Sequence, residues 1–372
     1  MELLTPAHGW DRVDARMTEV HRYLDRVKVV QMVAAATLFS AGCGTAPSRM
    51  PPSPGEIVRM DGALDELISP DAKLEKIAGG HEITEGPVYV PAGYLLFSDI
   101  PKNTIFRWTP GSGESVFRKP SGYDGTDAPA GFVIGSNGLT LDKQGRPIIC
   151  EHGNRRVTRL EPDGKLTVLA DAFEGHRLNS PNDVVVKSDG AIFFTDPPYG
   201  LQKQDDDPKK ELKFNGIYRI RGSTVVLLTK ELSRPNGLAF SPDEKFLYVA
   251  NSDPARKIWM RYPVLADDTV GSGTVFQDVT SDQRDGLPDG MKVDEKGNLY
   301  CSSPGGIRIF SPAGKHLGTI SPPEIPHNCA WGKYANGPES AKLAPGEAAD
   351  TLYITARPSV YRIRMKVAGI RP

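Results

Sequence analysis

An excess charge of either sign, a cysteine motif and a long hydrophobic run are all missing from this sequence, and each absence excludes a class of function. Lys and Arg number 45 against 46 Asp and Glu, so no basic surface is available to follow a phosphate backbone, and nucleic acid is excluded as a partner. The four cysteines show no C-x-x-C spacing. Among Cys150, Cys301 and Cys329 at most one disulfide can form, and three buried thiols are the preferred interpretation.

The longest apolar run, Val29–Ala41, is too short to span a bilayer. Basic residues precede it and small residues separate it from Cys43, which predicts a secretory signal over residues 1–42, with Met17 as an alternative start. A short buried helix is the competing interpretation. Cys43 follows Ala-Gly and resembles the lipid-attachment site of bacterial lipoproteins. Residues 43–72 begin with a Pro- and Ser-rich stretch and are predicted to be a semi-rigid tether. We therefore expect an exported protein, either periplasmic or anchored to a membrane by lipid.

Long amphipathic helical patterns are absent too, and short alternating apolar runs take their place. From Gly138 to Leu169, four such runs are joined by turns that contain Gly, as expected for four antiparallel strands. The unit recurs six times over residues 73–372 at a period of roughly 40 to 55 residues, which predicts an all-β, six-bladed β-propeller. A β-sandwich would explain the alternation but not the period. The last unit shows three strands, and Leu74–Ile77 is expected to supply its outer strand and close the ring.

A polar residue stands just before the first strand in every unit. These residues are Glu85, Asn137, Asn182, Asn236, Asp289 and Asn328. On a ring of blades the six positions converge on the central axis, and residues that follow the second strand, such as His152 and Asp196, share the same face. Carboxylate and amide oxygens favour calcium or magnesium over zinc, and a cation would offset the repulsion between crowded carboxylates. The competing interpretation is that Asn and Asp before Gly only mark turns.

Five motifs in a fixed order carry a further signal. They are Glu85–Pro87, Ser180–Val184, Phe194–Gly200, Arg234–Asp243 and Pro288–Asp294. Over residues 74–367 these motifs resemble the senescence marker protein/gluconolactonase/regucalcin family, which implies a six-bladed propeller with a catalytic divalent cation on its axis. The residues that correspond to the family's cation ligands are Glu85, Asn182, Asn236 and Asp289. The resemblance also implies that Asp289 is the base or nucleophile, and the stretch Cys150–Arg156 resembles the bacterial gluconolactonase-like branch.

These observations predict a calcium-dependent hydrolase of a small lactone or ester, with Mg²⁺, Zn²⁺ and Mn²⁺ as alternative cations. The cation would polarise the carbonyl, and Asp289 would accept the proton of the attacking water or attack directly, with His152 as an alternative base. The predicted substrate-binding residues are Asn137, His152, Arg155, Asp196 and His327. Phosphotriester hydrolysis at the same site and a non-catalytic binding propeller are the alternatives. Neither a Gly-x-Ser-x-Gly elbow nor a His-Glu-x-x-His pair occurs, so serine hydrolases and zinc proteases lack support.

Overall fold

The computed structural model describes residues 55–129 and 131–370. The predicted signal segment, the alternative start at Met17 and the lipid-attachment residue Cys43 lie outside the described residues, so they stay predictions. Within the described ranges, no helix is long and apolar enough to cross a membrane. The described chain consists mainly of strands and loops, with two short 3-10 helices (Gly62–Glu66 and Gln204–Asp206) and the four-residue α-helix Pro338–Ala341.

The strands form six antiparallel blades in chain order, and the first strand of each blade lies nearest the axis, against the first strand of the next blade. The strands are β1 (Glu56–Arg59), β2 (Glu75–Ala78), β3 (Thr84–Val90), β4 (Tyr94–Asp99), β5 (Thr104–Thr109), β6 (Gly113–Arg118), β7 (Ser136–Leu141), β8 (Pro147–Glu151), β9 (Arg156–Leu160), β10 (Leu166–Ala170), β11 (Ala172–Phe173), β12 (His176–Arg177), β13 (Val184–Val186), β14 (Ile192–Asp196), β15 (Gly216–Arg221), β16 (Thr224–Thr229), β17 (Pro235–Phe240), β18 (Phe246–Asp253), β19 (Arg256–Pro263), β20 (Thr274–Asp278), β21 (Met291–Val293), β22 (Leu299–Ser303), β23 (Gly306–Phe310), β24 (His316–Ser321), β25 (Pro326–Gly332), β26 (Thr351–Ala356) and β27 (Ser359–Arg364). Blades 1 to 4 comprise β3–β6, β7–β10, β13–β16 and β17–β20, while blade 5 contains β21–β24 with β1, and blade 6 contains β25–β27 with β2. The predicted all-β, six-bladed β-propeller is confirmed.

The ring closes through a strand from the N-terminal side of the propeller. Strand β2 pairs antiparallel with β27, with Glu75 opposite Arg362, and so becomes the outer strand of blade 6. The Arg362 guanidinium donates to the Glu75 carboxylate at 2.8 Å, which reinforces the pairing of β2 with β27. The closure expected from the short last unit is confirmed, and it covers an edge that would otherwise be open to pairing with another chain.

The propeller begins earlier than the predicted tether boundary at residue 72. Strand β1 pairs with β24, with Glu56 opposite Ser321, and adds a fifth strand to blade 5. The 3-10 helix that follows buries Leu64 completely, and Ile68 just beyond it is equally buried in the core. Residues 55–72 are therefore part of the folded domain. Leu64 and Ile68 are apolar and four residues apart, and burying both side chains is more favourable than leaving them in solvent, as a tether would.

Aromatic and aliphatic side chains fill the space between blades. Phe193 of blade 3 meets Phe240 of blade 4 edge-to-face at 4.9 Å, and Tyr300 of blade 5 meets Trp331 of blade 6 in the same way. Burying one such side chain contributes roughly 1.5–3 kcal/mol, so each blade is held firmly against its neighbours. Three separate buried thiols occupy core positions, as the preferred interpretation of the cysteines predicted; they are Cys150, Cys301 and Cys329. This packing gives the axial residues a rigid support.

Candidate active site on the propeller axis

Four of the inner strands contain a β-bulge where their polar residue stands. The pairing register shifts between Glu85 and Val88, between Ser136 and Leu139, between Pro235 and Leu238, and between Pro326 and Asn328. A bulge places an extra residue on one strand and turns its side chain away from the regular alternation. Glu85, Asn137 and Asn236, each followed by Gly, thus lie inside strands. The interpretation of these pairs as simple turns is wrong.

The glycine after each of these polar residues allows neighbouring inner strands to approach closely. The Gly138 N–H donates to the carbonyl of Asn182 at 2.7 Å, and a Cβ on Gly138 would stand only 2.6 Å from that oxygen. A Cβ on Gly237 would overlap the carbonyl oxygen of Asp289 in the same manner. Any larger residue would force the inner strands apart. The glycines therefore bring residues from different blades together at the axis.

Hydroxyl groups on the second strands fix the backbone of the next blade's axial residue. Ser98 Oγ of blade 1 donates to the carbonyl of Asn137 at 2.9 Å, and Thr195 Oγ1 of blade 3 donates to that of Asn236 at 2.8 Å. Ser252 of blade 4 donates to the carbonyl of Pro288, directly before Asp289. Because each bond crosses from one blade to the next, the axial side chains are held by the frame rather than by mobile loops.

Three carboxyl groups lie near the axis, and burial raises the pKa of each. Burial raises the pKa of Glu85 to about 7, and the negative charge of Asp183 adds to this effect while the Gly86 N–H opposes it. The pKa of Asp289 is raised well above its usual range by burial first, then by Glu85 and Asp183. The structure therefore brings Glu85 and Asp289 near each other, and their shared role as ligands stays a prediction. It also adds Asp183, which the sequence analysis included in a motif but did not assign to the site.

The axial group offers oxygen atoms of the kind that a divalent cation binds. Asp183 Oδ2 is buried without a hydrogen-bond partner among the described residues, and three carboxyl groups face the single positive charge of Lys292. Asn236 Nδ2 donates to Ser252 Oγ at 2.9 Å and Asn137 Nδ2 contacts His152 Nε2 at 3.2 Å, so both amide oxygens remain available. Calcium and magnesium take oxygen ligands of this kind.

Two of the four predicted ligands, Asn182 and Asn236, are amides. In the part of the chain that the structure describes, no group of three or more His, Cys, Asp and Glu side chains is placed to hold a metal ion. Asn182, the remaining predicted ligand, is buried at the beginning of blade 3, where its backbone N–H donates to the carbonyl of Thr195 at 2.8 Å. Ligation by Glu85, Asn182, Asn236 and Asp289 stays a prediction.

Two histidines border the axial group. His152 is 1% exposed, and burial lowers its pKa to about 4, so its ring is neutral at physiological pH. Its Nδ1 lies 3.2 Å from the carbonyl of Val133 and therefore carries the proton, which leaves Nε2 to accept from Asn137. His327 is partly accessible, and its Nδ1 lies 3.4 Å from the carbonyl of Thr84. Burial lowers the pKa of His327 to about 4 as well, which leaves its Nε2 as an acceptor.

Arg155 and Asp196, both predicted to bind substrate, hold the backbone that leads to Asn182. The Arg155 guanidinium donates to the carbonyl of Leu178 at 2.6 Å, and also to those of Arg177 and Lys209. The Asp196 carboxylate accepts the backbone N–H groups of Asn179 and Ser180 at 2.7 and 2.8 Å, and burial raises its pKa to about 7. These contacts give both side chains a structural role, and substrate binding by either stays a prediction.

Tyr199 is a site residue that the sequence analysis missed. Its hydroxyl interacts with the side chains of Ser252 and Asn236, and its pKa is raised by burial and then by the charge of Asp289. Tyr199 is partly accessible, so it borders the axial group from the open side. The sequence offered one indication of Tyr199, its position in the motif Phe194–Gly200. That position alone does not distinguish a tyrosine at the site from one buried in the core.

A cavity of about 690 Å³ opens farther along the inner strands, past the carboxyl groups. Its walls are mainly apolar and include Val88, Leu139, Val184, Leu238, Val293 and Trp331. We place the chemistry at the carboxyl end because convergent polar groups and raised carboxyl pKa values occur there, whereas this cavity offers few polar groups beyond lysines and loop residues. Lys292 lines the cavity, and its Nζ lies 3.5 Å from Oδ1 of Asn328, whose Nδ2 donates to Glu85, so Lys292 lies between the two regions.

Comparison with known proteins agrees with this geometry. Residues 83–357 match the model of the SMP-30/gluconolactonase/LRE-like region. A gluconolactonase of Zymomonas mobilis is 38% identical over 355 residues, which are 92% of this chain and 95% of that protein. The solved structure of a gluconolactonase from Xanthomonas campestris is 30% identical with a TM-score of 0.70, and the match covers 85% of this chain and 99% of that one.

A more distant structure shares only the fold. It is a calcium-binding regucalcin of Agrobacterium tumefaciens, 20% identical with a TM-score of 0.59, matched over 78% of this chain and 93% of that one. The family match extends from the strand that carries Glu85 to the last blade, and thus covers every axial residue described above. The chain therefore belongs to the SMP-30/gluconolactonase/LRE-like family.

Proposed function

We propose that the protein is a gluconolactonase-like hydrolase of a small lactone. The observation that carries the proposal is the axial cluster of buried carboxyl and amide groups in a propeller of this family. The Zymomonas mobilis relative, named a gluconolactonase, is similar along nearly its whole length, which supports the same substrate class. Which lactone is hydrolysed depends on the groups at the open side of the axis, including His327 and Tyr199.

We propose calcium as the cation, with magnesium, zinc and manganese as alternatives. The residues that would hold it are Glu85, Asn182, Asn236 and Asp289, all oxygen donors. When bound, the ion supplies polarisation of the lactone carbonyl and keeps the neighbouring carboxyl groups ionised. The name of the Agrobacterium tumefaciens protein as a calcium-binding regucalcin, on the same fold, supports this choice.

Asp289 acts as the general base in the proposed reaction. Its carboxylate accepts a proton from water as the water oxygen attacks the carbonyl carbon of the lactone. The bond between that carbon and the ring oxygen then breaks, and the proton passes from Asp289 to the departing oxygen, which yields a hydroxy acid. Asn137 and His327 position the substrate in this proposal, which the contact of Asn137 with His152 and that of His327 with Thr84 support. Direct attack by Asp289 is the alternative.

Turnover of gluconolactone and related sugar lactones, after chelation and after readdition of single cations, tests the proposal. We expect activity to disappear on chelation and to return with calcium, and Asp289→Asn to lower kcat by about a hundredfold or more. Asp163→Asn is the matched control, because Asp163 lies in an exposed turn. A phosphotriester panel run in parallel tests the other chemistry of this site. Full activity of the metal-free protein would refute the requirement for a cation, and full activity of Asp289→Asn would refute the role of Asp289 as the base.

We also propose that the protein is exported and lipid-anchored at Cys43, a proposal that rests on the sequence alone. Cell fractionation of the full chain and of Cys43→Ser tests it. The wild-type protein is expected in the membrane fraction, and the variant in the soluble exported fraction. Recovery of both proteins in the cytoplasm would contradict export, and recovery of both in the soluble periplasm would contradict the anchor.

A further inference from the structure

Lys292 brings a positive charge to the carboxyl cluster from the far side of the axis. It lies in β21, three residues after Asp289, and its Nζ donates to the carbonyl of Met291 at 3.0 Å. The same Nζ lies 3.5 Å from Asn328 Oδ1. Its charge acts on two of the three axial carboxyl groups, since it lowers the pKa of both Glu85 and Asp183.

Asn328 links this lysine to Glu85. The oxygen of the Asn328 amide accepts the backbone N–H of Cys329 at 2.8 Å and faces Lys292, so its Nδ2 is turned toward Glu85 Oε2 at 3.2 Å. A Cβ on Gly290 would overlap the Asn328 side chain, which shows how closely the backbone confines the amide. Asn328 thus presents a donor to the axis, whereas Asn137 and Asn236 use their donors within their own blades, on His152 and Ser252.

The charges at the axis do not balance. The charge of Asp183 acts on both Glu85 and Asp289, the charge of Glu85 acts on Asp289, and Lys292 supplies one positive charge against these three carboxyl groups. Buried charges without compensation are strongly unfavourable, so a lysine at this place stabilises the cluster before any ion binds. The same positive charge repels an incoming divalent cation.

We propose that Lys292 is a positioning and charge-compensating residue that orients Glu85 through Asn328 and sets the affinity of the axial site for divalent cations. The inference rests on the proposed function in one respect, namely that a divalent cation binds at the axis. It makes two predictions of opposite sign. Removing the charge of Lys292 tightens cation binding, and removing the charge of Asp183 weakens it.

Isothermal titration of the metal-free full chain with calcium chloride tests these signs directly. We expect Lys292→Met to bind calcium about tenfold more tightly than wild type, and Asp183→Asn to bind it about tenfold more weakly. The double variant should return to within a fewfold of wild type. Lys292→Arg keeps the charge and should stay near the wild-type affinity. Lys143→Met is the matched control, because Lys143 lines the same cavity but is exposed at its mouth.

The melting temperature of the metal-free proteins gives a second readout. Lys292→Met should melt below wild type without calcium, and the difference should shrink when calcium is saturating. If Lys292→Met does not fold without calcium, the charge-balanced double variant still reports on the coupling, because it should fold and bind. A merely structural lysine would lower the melting temperature without raising the affinity.

The outcomes separate this inference from the proposed function. Wild-type protein that binds no divalent cation would overturn both. Wild-type protein that binds calcium, together with a Lys292→Met variant of equal or weaker affinity, would overturn the role of Lys292 alone. An equal gain in affinity for Lys143→Met would also overturn it, because a general charge effect would then explain the result.

Discussion

Arg155→Met is the substitution that best separates support of the site from direct participation in it. The buried guanidinium donates to the carbonyl groups of Leu178, Arg177 and Lys209, and methionine keeps the aliphatic length but none of these bonds. A hydrogen bond from a charged group contributes roughly 1.5–3 kcal/mol, and the three bonds belong to one guanidinium group, so their contributions do not add fully. We expect a loss of about 3 kcal/mol in the free energy of unfolding.

The assay has a thermal part and a kinetic part. A loss of this size corresponds to a fall in Tm of roughly 6 °C for a domain of this size. Well below the lower Tm, kcat and KM for the lactone should stay within about twofold of wild type, since the guanidinium makes no contact with the axial carboxyl groups that the structure shows. Arg159→Met is the control, because Arg159 pairs with Glu161 near the surface of the same blade and should cost less than about 1 kcal/mol.

One result would refute this reasoning. A KM that rises about tenfold with an unchanged Tm would show that Arg155 binds the substrate, as the sequence analysis predicted, and that its bonds to the three carbonyl groups contribute little. A fall in both Tm and kcat that calcium fully reverses would instead show that the segment before Asn182 acts through the cation site.

Three further predictions concern stability and binding. Gly237→Ala should lower the free energy of unfolding by about 1–3 kcal/mol in chemical denaturation and weaken calcium binding, because its Cβ would overlap the carbonyl of Asp289; Gly337→Ala, which has open space, should change neither. The Arg284 side chain lowers the pKa of Asp282 below its ordinary value of 3.8, so the folded state favours the ionised form. The stabilisation by Asp282 is therefore complete above pH 3.8 and is lost progressively as pH falls below that value toward the lower pKa of the folded state, so the Tm difference between wild type and Asp282→Asn should shrink steadily below pH 3.8. Calcium at a hundred times its Kd should stabilise the metal-free protein by about 2.7 kcal/mol, and an unchanged Tm would argue against the cation site.

The fold could be predicted because each blade repeats the same sequence pattern of strands and turns. The alternating runs and Gly-bearing turns recur with one period, and Leu74–Ile77 could be assigned to the last blade because that blade lacked a strand. Strand β1 was missed because Glu56–Arg59 is a short, half-exposed fifth strand outside the repeat. Its pairing with β24 depends on tertiary contacts that no local pattern encodes.

The axial residues could be predicted because they occupy the same position in each repeated unit, but the residues that contact them could not. Lys292 and Asp183 each lie next to or near a predicted ligand along the chain, yet only the geometry of neighbouring blades shows that both face the same carboxyl cluster. Arg155 and Asp196 carry the right chemistry for substrate binding. The folded chain turns them to backbone groups, because the segment before Asn182 has carbonyl and N–H groups that no strand partner satisfies.

The Asn-Gly and Glu-Gly pairs show why fold and site cannot be separated in this molecule. The first residue of each pair supplies an oxygen near the axis, and the bulge turns it out of the regular alternation. The second residue lets the next blade approach within hydrogen-bonding distance, as Gly138 does with Asn182. Loss of the glycine would therefore widen the ring at the very point where the ligands must meet. A ring that is held together at its ligand-bearing residues can afford little motion there, which is what the binding of a small divalent ion by side chains from separate blades requires.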